Sequence, residues 1–300
     1  MSHALERTIV TGAGGFVGRA LIAHFESSPA LVHLQEDDWR EQVAAADFHN
    51  ATVFHLAGRA HGVDDEEEAL THDNAGKSRA LALAAAAGGA RRLVFASSVK
   101  VNGEETRERP FRAGDAPAPQ DAYARSKWAA EQALAEVART TSLEVVVVRS
   151  PLVYGPGVKG NLRALLRLAD SPWLLPFGAI DNRRSFVHVD DLARLFIDCA
   201  ALAPAAGGTF LAAHAETIST SRLIAAMRHY LGRPRRMVRV PRAALEAVAT
   251  LSGQGARMQR LTRSLEVDYA ETTRILGWSA QIGVETAIED MVREYREAAA

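Results

Sequence analysis

The sequence contains one cysteine, Cys199, among 300 residues. A single thiol excludes an internal disulfide and a cysteine-based metal cluster, and it fits a reducing compartment. Cys199 lies in an apolar helical run, so we interpret it as a buried and unreactive thiol. We therefore predict no metal site and no thiol chemistry.

The net charge is small, and long apolar runs are absent from the sequence. The 35 lysines and arginines nearly balance the 36 acidic residues, and we identify no basic stripe, which argues against a nucleic-acid or anionic-membrane surface. No window approaches the roughly 18 apolar residues of a membrane span, so we expect no membrane insertion. The charged N-terminus does not resemble a signal peptide. We expect a globular, cytoplasmic protein whose partner is a small molecule.

A glycine cluster lies between a strand pattern at residues 8–11 and a helical pattern at 19–25. Gly12, Gly15 and Gly18 can supply a sharp turn, close approach to a pyrophosphate and close packing of helix on strand. The free N–H groups that begin the helix face the anion. We predict a dinucleotide cradle whose cofactor contacts are Gly12, Gly15, Phe16, Val17 and Gly18.

The next strand pattern, residues 30–35, ends in Glu36, Asp37 and Asp38. A carboxylate at the tip of this strand can bind the adenosine ribose hydroxyls, which favours NAD over NADP. Alternatively, Asp37 or Asp38 caps the helix predicted from residue 39 to 46. Arg40 is close enough that NADP is not excluded.

Strand and helix patterns alternate as far as residue 149. The further strands are predicted at 51–57, 92–97 and 143–149, and the helices at 66–87 and 122–139. This alternation is typical of an α/β fold with a doubly wound parallel Rossmann sheet. Ligands of such sheets bind beyond the carboxyl ends of the strands, so Ser97, Ser98 and the segment after Arg149 should face the site.

Prolines interrupt the alternation beyond residue 151. We predict a dinucleotide-binding domain at residues 1–155 and a smaller, partly interleaved substrate domain at 156–300, with some segments returning to the first domain.

Tyr123 and Lys127 have the i, i+4 spacing that places two side chains on one helix face. A nearby ammonium favours a phenolate, so Tyr123 could exchange a proton with a sugar hydroxyl. The alternative is two ordinary surface residues. Only four of the 35 basic residues are lysines, which favours a specific use for the ammonium. Ser98 either binds the same oxygen or caps a turn.

Taken together, these motifs resemble the extended short-chain dehydrogenase/reductases of the NAD-dependent nucleotide-sugar epimerase/dehydratase family. The resemblance extends from residue 8 to residue 278 and is strongest to UDP-hexose 4-epimerases and 4-keto-sugar reductases. The motifs are the glycine turn, His55-Leu56-Ala57, Ser97-Ser98, Tyr123 to Lys127, Arg149 with Val153 to Gly157, and Arg184 to Asp191.

The resemblance implies a role for each matching residue. Tyr123 is the general acid/base, Lys127 lowers its pKa and holds the nicotinamide ribose, and Ser98 binds the C4 oxygen. The further implied cofactor contacts are Leu56, Ala57, Asn74, Ser97, Pro151 and Val153. The implied substrate contacts are Ser98, Lys100, Asn161, Arg184, Arg260 and Arg263, although for the last two a solvated arginine is the simpler interpretation. A homodimer through the helices of Asn74 and Tyr123 is also implied.

Several positions depart from the family pattern. The segment before Thr52 is too short for the usual third strand and its helix, and Val99-Lys100 replaces the Asp-Glu pair of 4,6-dehydratases. We interpret His188 as a packed histidine and Asp191 as a helix cap.

We therefore predict an NAD-dependent enzyme that transfers a hydride at C4 of a UDP-hexose, as a UDP-glucose or UDP-N-acetylglucosamine 4-epimerase does. The alternative is an NAD(P)H-dependent 4-keto-6-deoxy-sugar-nucleotide reductase of surface polysaccharide synthesis. A non-catalytic NAD(P) sensor is a third possibility, but it would not need the Ser98, Tyr123 and Lys127 set.

Overall fold

The computed structural model describes residues 7–59 and 67–298. The first six residues and Glu66, the predicted start of a helix, lie outside the described residues. The strands are β1 Thr8–Thr11, β2 Ala30–Val32, β3 Thr52–His55, β4 Arg92–Ser98, β5 Glu144–Ser150, β6 Leu152–Tyr154, β7 Phe186–His188 and β8 Thr209–Leu211.

The helices alternate with these strands in the first half of the chain and predominate in the second. They are α1 Phe16–Ile22, α2 Trp39–Ala45, α3 Glu67–Thr71, α4 Lys77–Ala87, α5 Ala122–Thr140, α6 Gly160–Asp170, α7 Val189–Ala201, α8 Thr220–Tyr230, α9 Arg242–Leu251, α10 Gly255–Thr262, α11 Ala270–Leu276 and α12 Val284–Glu297. The helix predicted from 66 to 87 is interrupted by a π-helical turn at His72–Gly76.

Six strands form one sheet in the order β2-β1-β3-β4-β5-β8. Every neighbouring pair is parallel. The central strands β3 and β4 are almost wholly buried because helices cover both faces, which explains their continuous apolar sequence. This arrangement confirms the predicted α/β fold with a parallel Rossmann-type sheet.

The chain between β2 and β3 contains α2 and no further strand within residues 33–51, all of which are described. The expected absence of the usual third strand is therefore confirmed, and β2 is an edge strand. The strand also ends at Val32, three residues earlier than predicted, because residues 34–38 turn toward α2.

A second hydrophobic core lies under the C-terminal helices. It is built from α6, α8 and α12, together with segments around Leu175 and Leu245. The strand pair β6-β7 and helix α7 connect this core to the sheet, and β8 completes the sheet's far edge. The boundary predicted at residue 155 remains a prediction. Among the described residues, no helix is both long and apolar enough to cross a membrane.

Candidate active site

The glycine turn between β1 and α1 has no room for side chains at two of its positions. Gly12 has a φ of +76°, and a Cβ there would lie 2.6 Å from the Ala57 backbone nitrogen. A Cβ on Gly18 would lie 2.2 Å from the Gly12 carbonyl oxygen. Gly15 precedes α1 without a side-chain cap, so the first N–H groups of the helix lack intrahelical acceptors. The turn therefore fits the pyrophosphate of a dinucleotide, as predicted from its sequence.

A buried chain of hydrogen bonds connects this turn to the π-helical turn. Ala57 N–H donates to the Thr11 hydroxyl at 3.3 Å, and Thr11 Oγ1 lies 2.7 Å from His55 Nδ1. His55 Nε2 lies 2.7 Å from Ser78 Oγ, which donates to the Asn74 carbonyl. Burial lowers the pKa of His55 to about 3. The ring is therefore neutral, with its proton on Nε2 because the Ser78 hydroxyl proton is used elsewhere.

The Asn74 side chain joins three segments around the predicted cofactor site. Its Oδ1 accepts a bond from the Arg59 backbone N–H at 2.8 Å, and its Nδ2 donates to Arg59 O at 3.0 Å and to Ser126 Oγ at 2.9 Å. Ser126 donates in turn to Tyr123 O. Asn74 therefore fixes the loop after β3 against the helix that carries Tyr123 and Lys127.

Lys127 is buried at the centre of this arrangement. Its Nζ donates to the Ala96 carbonyl at 2.9 Å and lies 4.7 Å from the centre of the Phe95 ring. A Cβ on Gly58 would lie 2.7 Å from the same Nζ, so the ammonium packs directly against this glycine. Burial lowers the pKa of Lys127 to about 8, although Glu131 opposes the shift.

Tyr123 lies one helical turn before Lys127 and is partly buried. Burial raises the pKa of Tyr123 to about 12, and the charge of Asp121 adds to the shift. The prediction that Lys127 lowers this pKa is wrong for the structure described here. The reason is that the phenol loses solvent and lies near a carboxylate, while the ammonium is bound to Ala96.

The ion pair between Lys100 and Asp121 fixes the turn that carries Ser98 against the start of the helix that carries Tyr123. Lys100 Nζ bonds to Asp121 Oδ2 and, at 2.8 Å, to Glu104. Asp121 caps α5 by accepting a bond from the Ala124 N–H at 2.7 Å. Ser98 Oγ accepts a bond from the Lys100 N–H at 3.3 Å, so the alternative role of turn cap is also present. The ammonium of Lys100 braces the Ser98 turn against α5, and its predicted contact with substrate remains a prediction.

Ser97 belongs to a buried polar cluster behind β4. Its hydroxyl donates to Glu131, whose carboxylate binds Arg149 at 2.6 and 3.0 Å. Arg149 also donates to Asn102 at 3.1 Å. The Ser97 hydroxyl therefore stabilises the joint between β4, α5 and β5, and the predicted contact of Ser97 with the cofactor remains a prediction.

The three carboxylates after β2 do not lie at the tip of the strand. Glu36 and Asp38 both accept bonds from Gln42 Nε2, each at 2.8 Å. Asp38 occupies the N-cap position of α2 but makes no side-chain cap bond, and Asp37 is exposed. Capping by the Asp38 side chain is therefore not observed, whereas ribose binding remains a prediction. The residue that anchors this loop is Lys77, whose Nζ donates to Leu34 O at 2.8 Å.

The predicted substrate-binding arginines come together near the start of α5. Arg184 is buried and donates to the carbonyls of Arg260 and Arg263 at 2.6 and 3.1 Å. Burial lowers the pKa of Arg184 to about 10. Arg260 lies 3.3 Å from Asp121, which links this group to the Tyr123 helix. Asn161, in contrast, is exposed in the first turn of α6.

The structure agrees with the interpretation of His188 as a packed histidine but not with that of Asp191 as a helix cap. His188 is buried, and its Nδ1 accepts a bond from the Asp190 N–H, so it is the packed residue at the start of α7 that we expected. Asp191 is not a helix cap. Its carboxylate accepts bonds from the N–H groups of Gln281 and Ile282, both at 3.0 Å. It therefore ties the C-terminal segment to α7.

Sequence reasoning missed several residues that organise this site. Thr11 and Ser78 have no local signature, because both bind His55, which is distant from each of them in sequence. Asp121 has the local signature of an N-cap, but its ion pair with Lys100 joins residues far apart in sequence. Lys77 was recognisable only as one of four lysines. Pro151 and Val153, the remaining predicted cofactor contacts, lie directly after β5 at the carboxyl edge of the sheet.

Known proteins resemble this chain in sequence and structure. Residues 8–210 match the model of the NAD dependent epimerase/dehydratase family. A UDP-glucose 4-epimerase of Vibrio cholerae is 36% identical over 293 residues, covering 90% of this chain and 89% of that protein. A dTDP-4-dehydrorhamnose reductase of Mycobacterium tuberculosis is 31% identical, covering 56% of this chain and 57% of that protein.

Solved structures show the same fold at lower identity. The UDP-glucose 4-epimerase of Thermotoga maritima, solved with UDP-glucose, superposes with a TM-score of 0.77 at 19% identity and covers 98% of this chain and 100% of that one. MoeE5 in complex with UDP-glucose and NAD also has a TM-score of 0.77, at 21% identity, covering 98% of this chain and 100% of that one. The family match covers residues 8–210, a range that contains the glycine turn, Ser98, Tyr123 and Lys127, and the Vibrio relative matches 90% of this chain. This protein belongs to the NAD-dependent epimerase/dehydratase family.

Proposed function

We propose that this protein catalyses the NAD-dependent 4-epimerisation of a UDP-hexose, of the UDP-glucose or UDP-N-acetylglucosamine type. The observation that carries the proposal is the placement of Tyr123, Lys127 and Ser98 beside the glycine turn. Lys127 is packed against Gly58 on the loop that continues from β3, and the Lys100–Asp121 pair holds the Ser98 turn against the start of α5. The 36% identity to a UDP-glucose 4-epimerase supports the choice of reaction.

Each catalytic side chain has a distinct role in this proposal. NAD, when bound, accepts a hydride from C4 of the sugar and returns it to the other face of the ring. Tyr123 takes the proton of the C4 hydroxyl as the 4-keto sugar forms and gives it back at the end. Ser98 donates a hydrogen bond to the C4 oxygen, and Lys127 binds the nicotinamide ribose. Because the phenol and ammonium share one helix face, both groups act at the same edge of the sheet.

The cofactor is held by backbone more than by charge. The narrow turn at Gly12 and Gly18 brings N–H groups against the pyrophosphate. Asn74 keeps the loop after β3 in place at the nicotinamide end. On the substrate side, Arg263 supplies a buried Nε without a hydrogen-bond partner among the described residues. We assign Arg184, Arg260, Arg263 and Asn161 to the UDP diphosphate, since guanidinium groups bind phosphate in a bidentate fork.

A second candidate function is supported by the state of Tyr123. Burial raises the pKa of Tyr123 to about 12, which favours the protonated phenol over the phenolate with which the epimerase reaction starts, and a 4-keto-sugar reductase needs a proton donor for the keto oxygen. The partial match to a dTDP-4-dehydrorhamnose reductase agrees with this alternative. In that case the same three side chains act once, in the reducing direction, with NADH or NADPH.

The two functions are separated by incubating the purified protein with UDP-glucose or UDP-N-acetylglucosamine, without added cofactor, and following the C4 signals by NMR. Conversion to the galacto form indicates a 4-epimerase that retains NAD. No conversion, followed by reduction of a 4-keto-6-deoxy sugar nucleotide when NADH or NADPH is added, indicates the reductase.

A matched pair of tyrosine variants tests the catalytic assignment. Tyr123→Phe removes the proton-transfer group, so we expect turnover to fall by at least ~10²-fold, a usual magnitude for general acid–base catalysis. Tyr295→Phe, on α12, serves as the control and should keep full turnover. Full activity in Tyr123→Phe would contradict the mechanism and favour a non-catalytic NAD sensor.

Three further expectations remain part of the proposal. These are cytoplasmic location, the domain boundary at residue 155, and a homodimer formed through the helices of Asn74 and Tyr123. Light scattering of the purified protein measures the last of these directly.

A further inference from the structure

Seven arginines and no acidic residue occur between residues 217 and 245. Whole-chain charge counts conceal this segment, because acidic residues elsewhere balance it. The expectation that the chain has no basic surface is therefore wrong for this segment. Arg235, Arg236 and Arg239 are exposed, and none of the three pairs with a carboxylate in the described part of the chain.

Two large apolar side chains are exposed directly beside these arginines. Trp173 is 70% exposed and Leu174 is 59% exposed. The next residue, Leu175, pairs with the arginine segment through its backbone. Its N–H donates to Arg236 O at 3.0 Å, and its carbonyl accepts a bond from the Val238 N–H at 2.9 Å. Trp173 and Leu174 therefore lie beside the segment that carries Arg235, Arg236 and Arg239.

Buried Arg228 holds both segments in this position. Its guanidinium donates to five backbone carbonyls, those of Ala169, Ser171, Trp173, Pro234 and Arg236, at 2.6 to 3.3 Å. These bonds fix the backbone around Trp173. The exposure of the Trp173 side chain is therefore a feature of the fold and not a result of loop motion.

Helix α9 begins three residues after Arg239 and packs on the same C-terminal core as Leu175. Its inner face carries Leu245 and Ala249, which are buried. Its outer face carries Ala244, Ala247, Val248 and Leu251, at the i, i+3, i+4 and i+7 spacing of a helical stripe. Val248 is 67% exposed and Leu251 is 90% exposed. The outward stripe is thus apolar, whereas the outer face of a solvated helix is normally polar.

We propose that Trp173, Leu174, the exposed arginines 235, 236 and 239, and the outer face of α9 form a docking surface for a membrane rich in anionic phospholipid. Tryptophan is favoured at the membrane–water interface, and arginines beside it are attracted to anionic headgroups. An apolar helix stripe flanked by arginines lies in the plane of such an interface. The contact is peripheral and needs no helix that crosses the bilayer.

Charge argues against a second copy of this chain as the occupant. A two-fold contact places the same patch on both subunits, which would set one group of exposed arginines against a second arginine-rich patch. The surface also belongs to the C-terminal core and not to α5, which carries Tyr123 and Lys127. The proposal is therefore independent of which sugar nucleotide the enzyme uses.

Vesicle flotation tests the proposal directly. The full-length protein should float with vesicles of equal phosphatidylcholine and phosphatidylglycerol, and not with phosphatidylcholine alone. Binding should weaken at ~1 M salt, where the Debye length falls to about 3 Å. The triple variant R235Q/R236Q/R239Q should bind roughly 100-fold more weakly, because each arginine near an anionic surface contributes about fivefold.

A second variant separates the apolar contribution and supplies an optical signal. Trp173 is the most exposed of the four tryptophans, so its emission should shift to the blue on the anionic vesicles, and this shift should vanish in W173F. W173S/L174S should lose at least ~10-fold in binding through lost apolar burial, with unchanged turnover. The controls R107Q/R139Q/R274Q and L83S alter exposed residues elsewhere and should bind normally.

Three results would overturn the proposal. The first is no flotation with anionic vesicles. The second is binding as strong as that of the wild type by both R235Q/R236Q/R239Q and W173S/L174S. The third is a dimer in light scattering that W173S/L174S dissociates, which would assign this surface to a second copy.

Discussion

Replacing Lys127 by methionine separates the catalytic from the structural role of this buried ammonium. Burial lowers the pKa of Lys127 from 10.5 to about 8. Holding the ammonium in the folded chain at neutral pH therefore costs about 3 kcal/mol relative to the unfolded chain. Methionine removes this cost but leaves the Ala96 carbonyl without its donor, which costs about 1 kcal/mol, and loses a cation–π contact to Phe95 worth about 1 kcal/mol.

We therefore expect K127M to be slightly more stable than the wild type, by about 1 kcal/mol, and to lose at least ~10²-fold in turnover. Most substitutions of a buried group destabilise a protein. A variant that gains stability while losing activity would show that Lys127 is retained for function.

The pH dependence of unfolding gives the sharper test. Below pH 8, Lys127 is protonated in both states. Between about 8 and 10.5 the folded chain has released the proton and the unfolded chain still holds it, so the free energy of unfolding rises with pH in this window. The rise due to Lys127 should approach about 3 kcal/mol and should be missing in K127M.

The assay is denaturant unfolding of wild type, K127M and K159M at several pH values from 7 to 10. Lys159 is exposed before α6, so K159M should reproduce the wild-type profile and account for the remaining titrating groups. The reasoning is refuted if K127M keeps the full rise, or if it loses more than ~2 kcal/mol at pH 7.

Three further substitutions test the structure. G18A places a Cβ 2.2 Å from a backbone oxygen and should weaken NAD binding at least ~10-fold, whereas G14A, which meets nothing within 4 Å, should bind NAD normally in a calorimetric titration. D191A removes the acceptor for two partly buried backbone N–H groups and should lower the free energy of unfolding by about 2–4 kcal/mol. R228M removes the guanidinium donor from five carbonyls and should lower the melting temperature by several degrees, roughly 2–4 °C per kcal/mol, in differential scanning calorimetry.

Local sequence determined those features whose physics involves only neighbouring residues. The strand, glycine turn and helix at the N-terminus follow from β-branched residues and from glycines that occupy a turn too narrow for a Cβ. The shared face of Tyr123 and Lys127 follows from helical geometry alone. The parallel orientation of the strands follows from the strand–helix alternation, and the absence of a third strand follows from the short segment before Thr52.

Tertiary structure decided the environment of each side chain, because burial and partners come from segments that are distant in sequence. Burial and the charge of Asp121 raise the pKa of Tyr123, and Lys127 is bound to Ala96, which the i, i+4 spacing could not reveal. The Ser97 hydroxyl donates to Glu131, and Lys100 braces the Ser98 turn against α5. Arg228 and Arg235 belong to the same arginine-rich segment. In the folded chain Arg228 is buried and donates to five backbone carbonyls, whereas Arg235 is exposed to water. The sequence therefore specifies which groups are present and on which element they lie, and the folded chain alone specifies which of them are charged, exposed and available.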